Sequence, residues 1–245
     1  MEGKKLNYQF SIFGDFRDIS PNNSQIIIDL LSEYKEKNFI PSIFQEVPFN
    51  IIPGQINNRI MLSNNDGWQM NIGNNRIDLS IPLIEKAKYA DMNIETISIE
   101  ACEIIGKIIN KYNKQANRIA LNTTFLMDSA LSKKLDRIYE DKGRVIDFYN
   151  QNKIKEWNER TISEIVDSEF DSEKINIGIN INKGKGQYQI ANKITPFDGI
   201  TIQFDINTIP ENIDYRFGDE AIKKFFEIAI KYKNNIEKQI EEKLV

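Results

Sequence analysis

Ile175-Asn176-Ile177-Gly178-Ile179-Asn180-Ile181 and Ile200-Thr201-Ile202-Gln203-Phe204-Asp205-Ile206 place an apolar side chain at every second position. Successive side chains of a strand point to opposite faces, so each segment reads as a strand with one face on a core and the other polar. Upstream, Tyr8, Phe10 and Ile12 alternate in the same way with Gln9 and Ser11, and Arg118 to Leu126 is a further strand candidate. Between Arg59 and Ile81 the alternation is broken twice. Asn64-Asn65-Asp66-Gly67 is a hairpin signal, because these residue types tolerate positive φ, and Gly73-Asn74-Asn75 marks a second turn. Residues 57 to 81 therefore read as a three-stranded meander.

Helical spacing fills the intervals. Asp18 to Ser24 supplies capping and turn residues around Pro21, and Ile27, Leu31 and Tyr34 recur at helical intervals to about Lys37. Pro41, Pro48 and Pro53 mark a connector. From Asn93, the residues Ile97, Ala101, Ile104, Ile105, Ile108 and Tyr112 trace one stripe of a helix. Ser129 to Glu140 and Asn152 to Asp167 both read as helical, the second with Trp157, Ile162 and Ile165 as its apolar contacts. Lys183-Gly184-Lys185-Gly186 reads as a turn leading to Tyr188 and Ile190, and Ile222, Phe225, Phe226, Ala229, Ile236 and Ile240 mark a long terminal helix. Each half thus runs strand, helix, three strands, helix. The expected class is α+β: a duplicated strand-helix-three strands-helix unit, its mostly antiparallel sheet packed on long helices. The expected lobes are residues 1–116 and 117–245, either adjacent or sharing one core.

Composition removes several chemistries. The chain has 245 residues, one cysteine, no histidine and a net charge of -4. One thiol forms no internal disulfide, and without imidazole there is no Cys/His zinc site, no Cys-His pair and no Ser-His-Asp triad. Length is ample for a core without staples. The slightly acidic balance gives no electrostatic reason to expect nucleic acid. The amino terminus alternates where a secretory signal needs a continuous apolar run, and no stretch approaches the roughly 18 apolar residues of a membrane span. A cytoplasmic protein is expected, consistent with its lone cysteine. Frequent isoleucine, asparagine and lysine suggest an AT-rich coding sequence and a bacterial source.

The motifs that resemble sites each fail a requirement. Lys183-Gly184-Lys185-Gly186 lacks the glycine that a phosphate loop places five positions before Gly-Lys, where Ile179 stands, and lacks Ser or Thr after the lysine, where Gly186 stands. A solvated hairpin tip is the plainer reading; if it binds, Lys183 and Lys185 meet an acidic surface of a partner. Asp167, Glu169, Asp171 and Glu173 do not form a calcium loop, which needs glycine where Ser172 stands and glutamate where Gly178 stands. A histidine-free, magnesium-dependent nuclease needs acids on neighbouring strand ends with a lysine nearby. Glu85-Lys86-Ala87-Lys88 and Glu173-Lys174 are near misses, and Asp198 and Asp205 are its best candidate ligands. Trp68, Trp157, Tyr188 and Phe204 lie in apolar alternation without interleaved basic residues, which favours core packing over base stacking. Cys102 sits one position from a helix stripe and reads as a small semi-buried hydrophobe.

Two blocks resemble a sporadically distributed, largely uncharacterised family of bacterial proteins met beside phage-defence and abortive-infection genes. The first is Met61 to Ile81, with Asn65-Asp66-Gly67-Trp68-Gln69-Met70-Asn71-Ile72 followed by Asn75-Arg76. The second is Thr201-Ile202-Gln203-Phe204-Asp205-Ile206-Asn207 and the helix that follows through Val245; Asn207 stands where that family carries an acidic residue. The resemblance implies a genomic context and brings no site residues with it. The expected function is a non-catalytic sensor, inhibitor or accessory subunit of a bacterial defence system that binds another protein, an effector or a second copy, through a sheet face or edge. No cofactor is expected. The magnesium nuclease and a small-ligand groove between sheet and helix are the alternatives.

Overall fold

A computed structural model describes residues 3–46, 57–83, 88–143, 147–152, 154–190 and 193–244. Pro48, Pro53, Glu85, Lys86, Ala87, Val245 and the side chain of Tyr188 lie outside the described residues. The chain is α+β. In order it forms β1 (Gly3–Phe13), α1 (Ser24–Glu33), a 3-10 turn (Lys35–Lys37), β2 (Ile40–Glu46), β3 (Asn57–Ser63), β4 (Gln69–Ile72), β5 (Arg76–Pro82) and α2 (Ile94–Lys111). It continues with β6 (Arg118–Met127), α3 (Ser129–Gly143), α4 (Asp147–Gln151), β7 (Trp157–Asp167), β8 (Glu173–Ile190), β9 (Lys193–Thr208) and α5 (Asp219–Leu244). The nine strands make one antiparallel sheet in the order β2-β3-β4-β5-β1-β6-β9-β8-β7.

The alternation that announces the strands also assigns their faces. Phe10 lies opposite Leu79 on one side and Leu121 on the other, and Leu121 lies opposite Ile206. These residues, with Ile60, Leu62, Met70, Ile72 and Ile77, are fully or nearly fully buried. They join one cluster with Leu30 and Tyr34, with Ile97, Ala101, Ile104 and Ile105 of α2, and with Phe225, Phe226 and Ala229 of α5. A second cluster gathers Phe125, Met127, Ile181, Ile200, Ile202 and Phe204 with Leu135 of α3. Burying one Ile or Phe side chain contributes about 1.5–3 kcal/mol, which makes this strand face the main source of stability. Trp68 and Phe204 are core residues. The hairpin signals fall where expected: Gly67, at φ +102°, closes the β3–β4 turn, and the Gly73 N–H donates to the Arg76 carbonyl (2.8 Å) between β4 and β5. Asn93 caps α2 by accepting the Thr96 N–H at 2.8 Å.

Three local expectations are corrected. Residues 157–167, read as the end of a helix, are strand β7, paired with β8 over its full length. Trp157, Thr161, Ile162, Ile165 and Val166 suit a strand, and β8 offers a continuous ladder that local spacing does not reveal. The expected turn at Lys183–Gly186 is uninterrupted strand, with Lys183 opposite Ile200 and Gly184 opposite Gly199, and the β8–β9 ladder continues to Ile190 opposite Lys193. The connector around Pro41 contains β2, an outermost strand, where a missing N–H is tolerated.

Cys102 is 6% exposed, and burial, with Asp219 as the next contributor, pushes its thiol up to about 12. The folded state therefore holds the neutral thiol past the ordinary value of 9.0. This stabilisation is complete at lower pH and is lost as pH rises above the unfolded value toward about 12. Ellman's reagent at pH 8 is expected to modify the native protein at least about 100-fold more slowly than the urea-unfolded chain.

Candidate functional site

The strand positions between the core residues form the opposite face of the sheet. Reading across at the level of Gln9, the neighbours are Gln69, Ser80, Gln9, Asn122, Asp205 and Gly178. One rung away they are Asn71, Asp78, Ser11, Ala120, Asn207 and Asn176. This face is dominated by amides because the same period of two that puts isoleucine on one side of β8 puts asparagine on the other. The amides bond to one another across strands: Asn158 Nδ2 donates to Asn180 Oδ1 at 2.7 Å, and Asn180 Nδ2 donates to Gln203 Oε1 at 3.2 Å. The buried residues of α1, α2, α3 and α5 belong to the clusters on the other side.

Its centre, on the four middle strands β5, β1, β6 and β9, is a basin in the sense that the short side chains of Ser11 and Ala120 stand among the longer ones of Gln9, Asp78, Asn122 and Asn207. Ser11 and Ala120, 1% and 2% exposed, are its floor. Asp78 is held on one wall, accepting from Ser11 Oγ at 2.6 Å and Gln9 Nε2 at 3.0 Å and pairing with Arg76 Nε at 2.7 Å. On the other wall Asp205 Oδ1 accepts Asn207 Nδ2 at 3.0 Å. At one end the guanidinium carbons of Arg76 and Arg118 lie 5.7 and 4.6 Å from the centroid of Phe13, the residue between them in register. Arg118 Nε is buried and has no hydrogen-bond acceptor among the described residues. Burial pushes the Arg118 guanidinium below its ordinary value, with Asp205 opposing that shift and Arg76 adding to it. It stays cationic at neutral pH, an arginine being protonated throughout that range. Arg76, Asp78, Asp205 and Asn207 fall inside the two blocks quoted above, which bring no site residues with them, and only register brings Arg76, Phe13 and Arg118 side by side.

The residues singled out from sequence have other settings. Lys183 lies mid-strand and binds Asp136 Oδ2 at 2.5 Å, while Asp136 Oδ1 accepts the Trp157 indole N–H at 2.9 Å. Lys185, two residues on, is exposed. Asp198 and Asp205 are not brought together: they are an odd number of residues apart on β9, so Asp205 faces the basin and Asp198 the opposite side, near Lys183 and Ser132. The acidic run is structural. Asp167 accepts the Glu169 and Phe170 N–H groups at 2.8 and 2.9 Å and the Tyr232 hydroxyl at 2.7 Å, which pushes that phenol up to about 12. Glu173 takes both arms of Arg216 at 2.6 and 3.0 Å. Among the described residues, no three acids or thiols converge as metal ligands, and no helix is long and apolar enough to cross a membrane.

A groove of about 590 Å³ opens between α2 and α5 beside Asp219 and Lys107, and another of about 550 Å³ beside Ile99 and Glu227. Both lie on the helices, away from the basin. Comparison with family models, with curated proteins and with solved structures finds no match.

Proposed function

We propose that this is a non-catalytic binding protein that receives another protein on the helix-free face of its sheet. The observation that carries the reading is Arg118, a cation whose buried Nε has no acceptor among the described residues, beside a basin lined with amides and carboxylates. An unmet buried donor costs about 1–3 kcal/mol, a cost removed when a partner's carboxylate or carbonyl meets it. Each half is read as one copy of a repeated unit, supported by the adjacency of β1 and β6 and by the order β5-β1-β6-β9, in which the last strand of each half borders that half's first strand. The basin then lies on the axis relating the copies. The resemblance to the bacterial family supports a cytoplasmic role as sensor, inhibitor or accessory subunit in phage defence, with an effector as the partner.

Copurification of the tagged protein from its native host is expected to recover one stoichiometric partner. Arg118→Glu is expected to lower that recovery at least about tenfold, as charge reversal does at an interface. A monomer that recovers nothing and cleaves DNA or RNA with magnesium overturns the reading. The placement of Asp198 and Asp205 on opposite faces removes the ligand pair on which the nuclease alternative relied.

A further inference from the structure

Strand β7 ends the nine-strand sheet. It pairs with β8 from Trp157 to Asp167 without a register shift, and among the described residues no strand meets its outer side. About half of its backbone N–H and C=O groups therefore point outward unpaired. Soluble proteins blunt such edges with proline, a bulge or charged side chains, lysine above all. The sequence of β7, WNERTISEIVD, contains no proline, lysine or glycine. The other edge strand, β2, carries Pro41.

The side chains of β7 are matched to a copy of themselves. Asn158, Arg160, Ile162, Glu164 and Val166 share one face, where Ile162 is 52% and Val166 62% exposed. Arg160 stands two residues before Ile162 and Glu164 two residues after it. Antiparallel pairing of two β7 strands about a two-fold axis at Ile162 therefore sets Ile162 against its own copy. It also sets Arg160 of each chain opposite Glu164 of the other, at the roughly 5 Å Cβ separation at which cross-strand pairs interact. On the reverse face Thr161 meets Ser163. Centring the pair two residues earlier or later sets Arg160 against Arg160 or Glu164 against Glu164, and centring it on Thr161 or Ser163 sets both charges against uncharged residues, so only the Ile162 register pairs Arg160 with Glu164. Arg160 makes no ion pair among the described residues, while Glu164 meets Lys174 of its own chain at 2.8 Å, with both side chains half-exposed.

We infer that the protein forms a two-fold homodimer through β7, which continues the sheet from one copy into the next. An axis normal to the sheet leaves both helix-free faces on the same side. The inference stands on the edge alone and does not depend on what that face binds.

Sedimentation equilibrium of the full chain at neutral pH and low salt tests it. The wild-type protein is expected at twice the 28.5 kDa of the chain at protein concentrations of roughly 100 µM. Arg160→Glu alone and Glu164→Arg alone each oppose like charges across the axis and are expected to weaken association at least about tenfold. Mixing the two variants restores Glu–Arg at both positions and is expected to recover the dimer as a heterodimer. A monomeric wild type, single variants that stay dimeric, or a mixture that stays monomeric each overturns the inference. Should a variant fail to fold, hydrogen exchange of the wild type decides: β7 amides whose protection does not rise with protein concentration overturn it, and amides whose protection rises support it.

Discussion

Phe226→Ala is expected to lower the unfolding free energy by about 3–5 kcal/mol, the usual cost of truncating a buried phenylalanine. Phe226 is completely buried on α5, in edge contact with Phe10 of β1 at 5.1 Å and 84° and with Phe225 at 5.6 Å and 67°. Phe10 in turn lies 6.3 Å from Trp68. The ring thus ties the last helix to the first strand and to the turn before β4, and its removal leaves a cavity bounded by sheet residues that cannot collapse without breaking register. Urea titration is expected to show a lower midpoint at an unchanged slope, since the surface exposed on unfolding stays the same. Ile213→Ala, at a residue 73% exposed, is the matched control and is expected to change stability by less than about 0.5 kcal/mol. A loss below about 1 kcal/mol at Phe226 would show that α5 does not seat on β1.

Arg59→Ala is expected to cost about 3 kcal/mol, through a different mechanism. Arg59 is 2% exposed, yet it sits at a polar strand position of β3. Its Nη2 donates to the Phe16 and Gly73 carbonyls, both at 2.7 Å, and its Nε donates to the Ile72 carbonyl at 3.2 Å. Glu46 Oε2 lies 3.9 Å from that Nε. Desolvation pushes the guanidinium below its ordinary value, with the Glu46 charge opposing the shift. Alanine leaves these carbonyls without their donor and Glu46 without its counter-charge. Arg59→Lys is expected to recover under half of the loss, because one ammonium lacks the planar fork that reaches several carbonyls. Calorimetry of the three proteins checks both statements; a lysine variant as stable as wild type would assign the effect to charge alone.

The candidate site and the core differ in how far the sequence discloses them. Core strands were legible because burial on one face imposes a period of two, as at Tyr8, Phe10 and Ile12, and helix α2 was legible because Asn93 caps a stripe of isoleucines. The basin was not. Arg76, Phe13 and Arg118 come from three strands, and nothing local to any of them signals the others. Arg59 likewise carries no local signal of the Phe16 and Gly73 carbonyls that accept from it in the fold. Lys183 read as the tip of a glycine turn because glycine marks turns statistically, whereas here Gly184 and Gly199 face each other inside a long hairpin.

Local spacing by itself determined the α+β class, the apolar side of most strands, two tight turns and the four helices α1, α2, α3 and α5, since each depends on side chains within a few residues of one another. The identity of 157–167 as a strand, the strand order and the gathering of amides and arginines on one face were decided only in the folded chain. Those features rest on backbone hydrogen bonds and register between segments as far apart as Gly3 and Met127, and a ladder partner is invisible to any pattern confined to one segment.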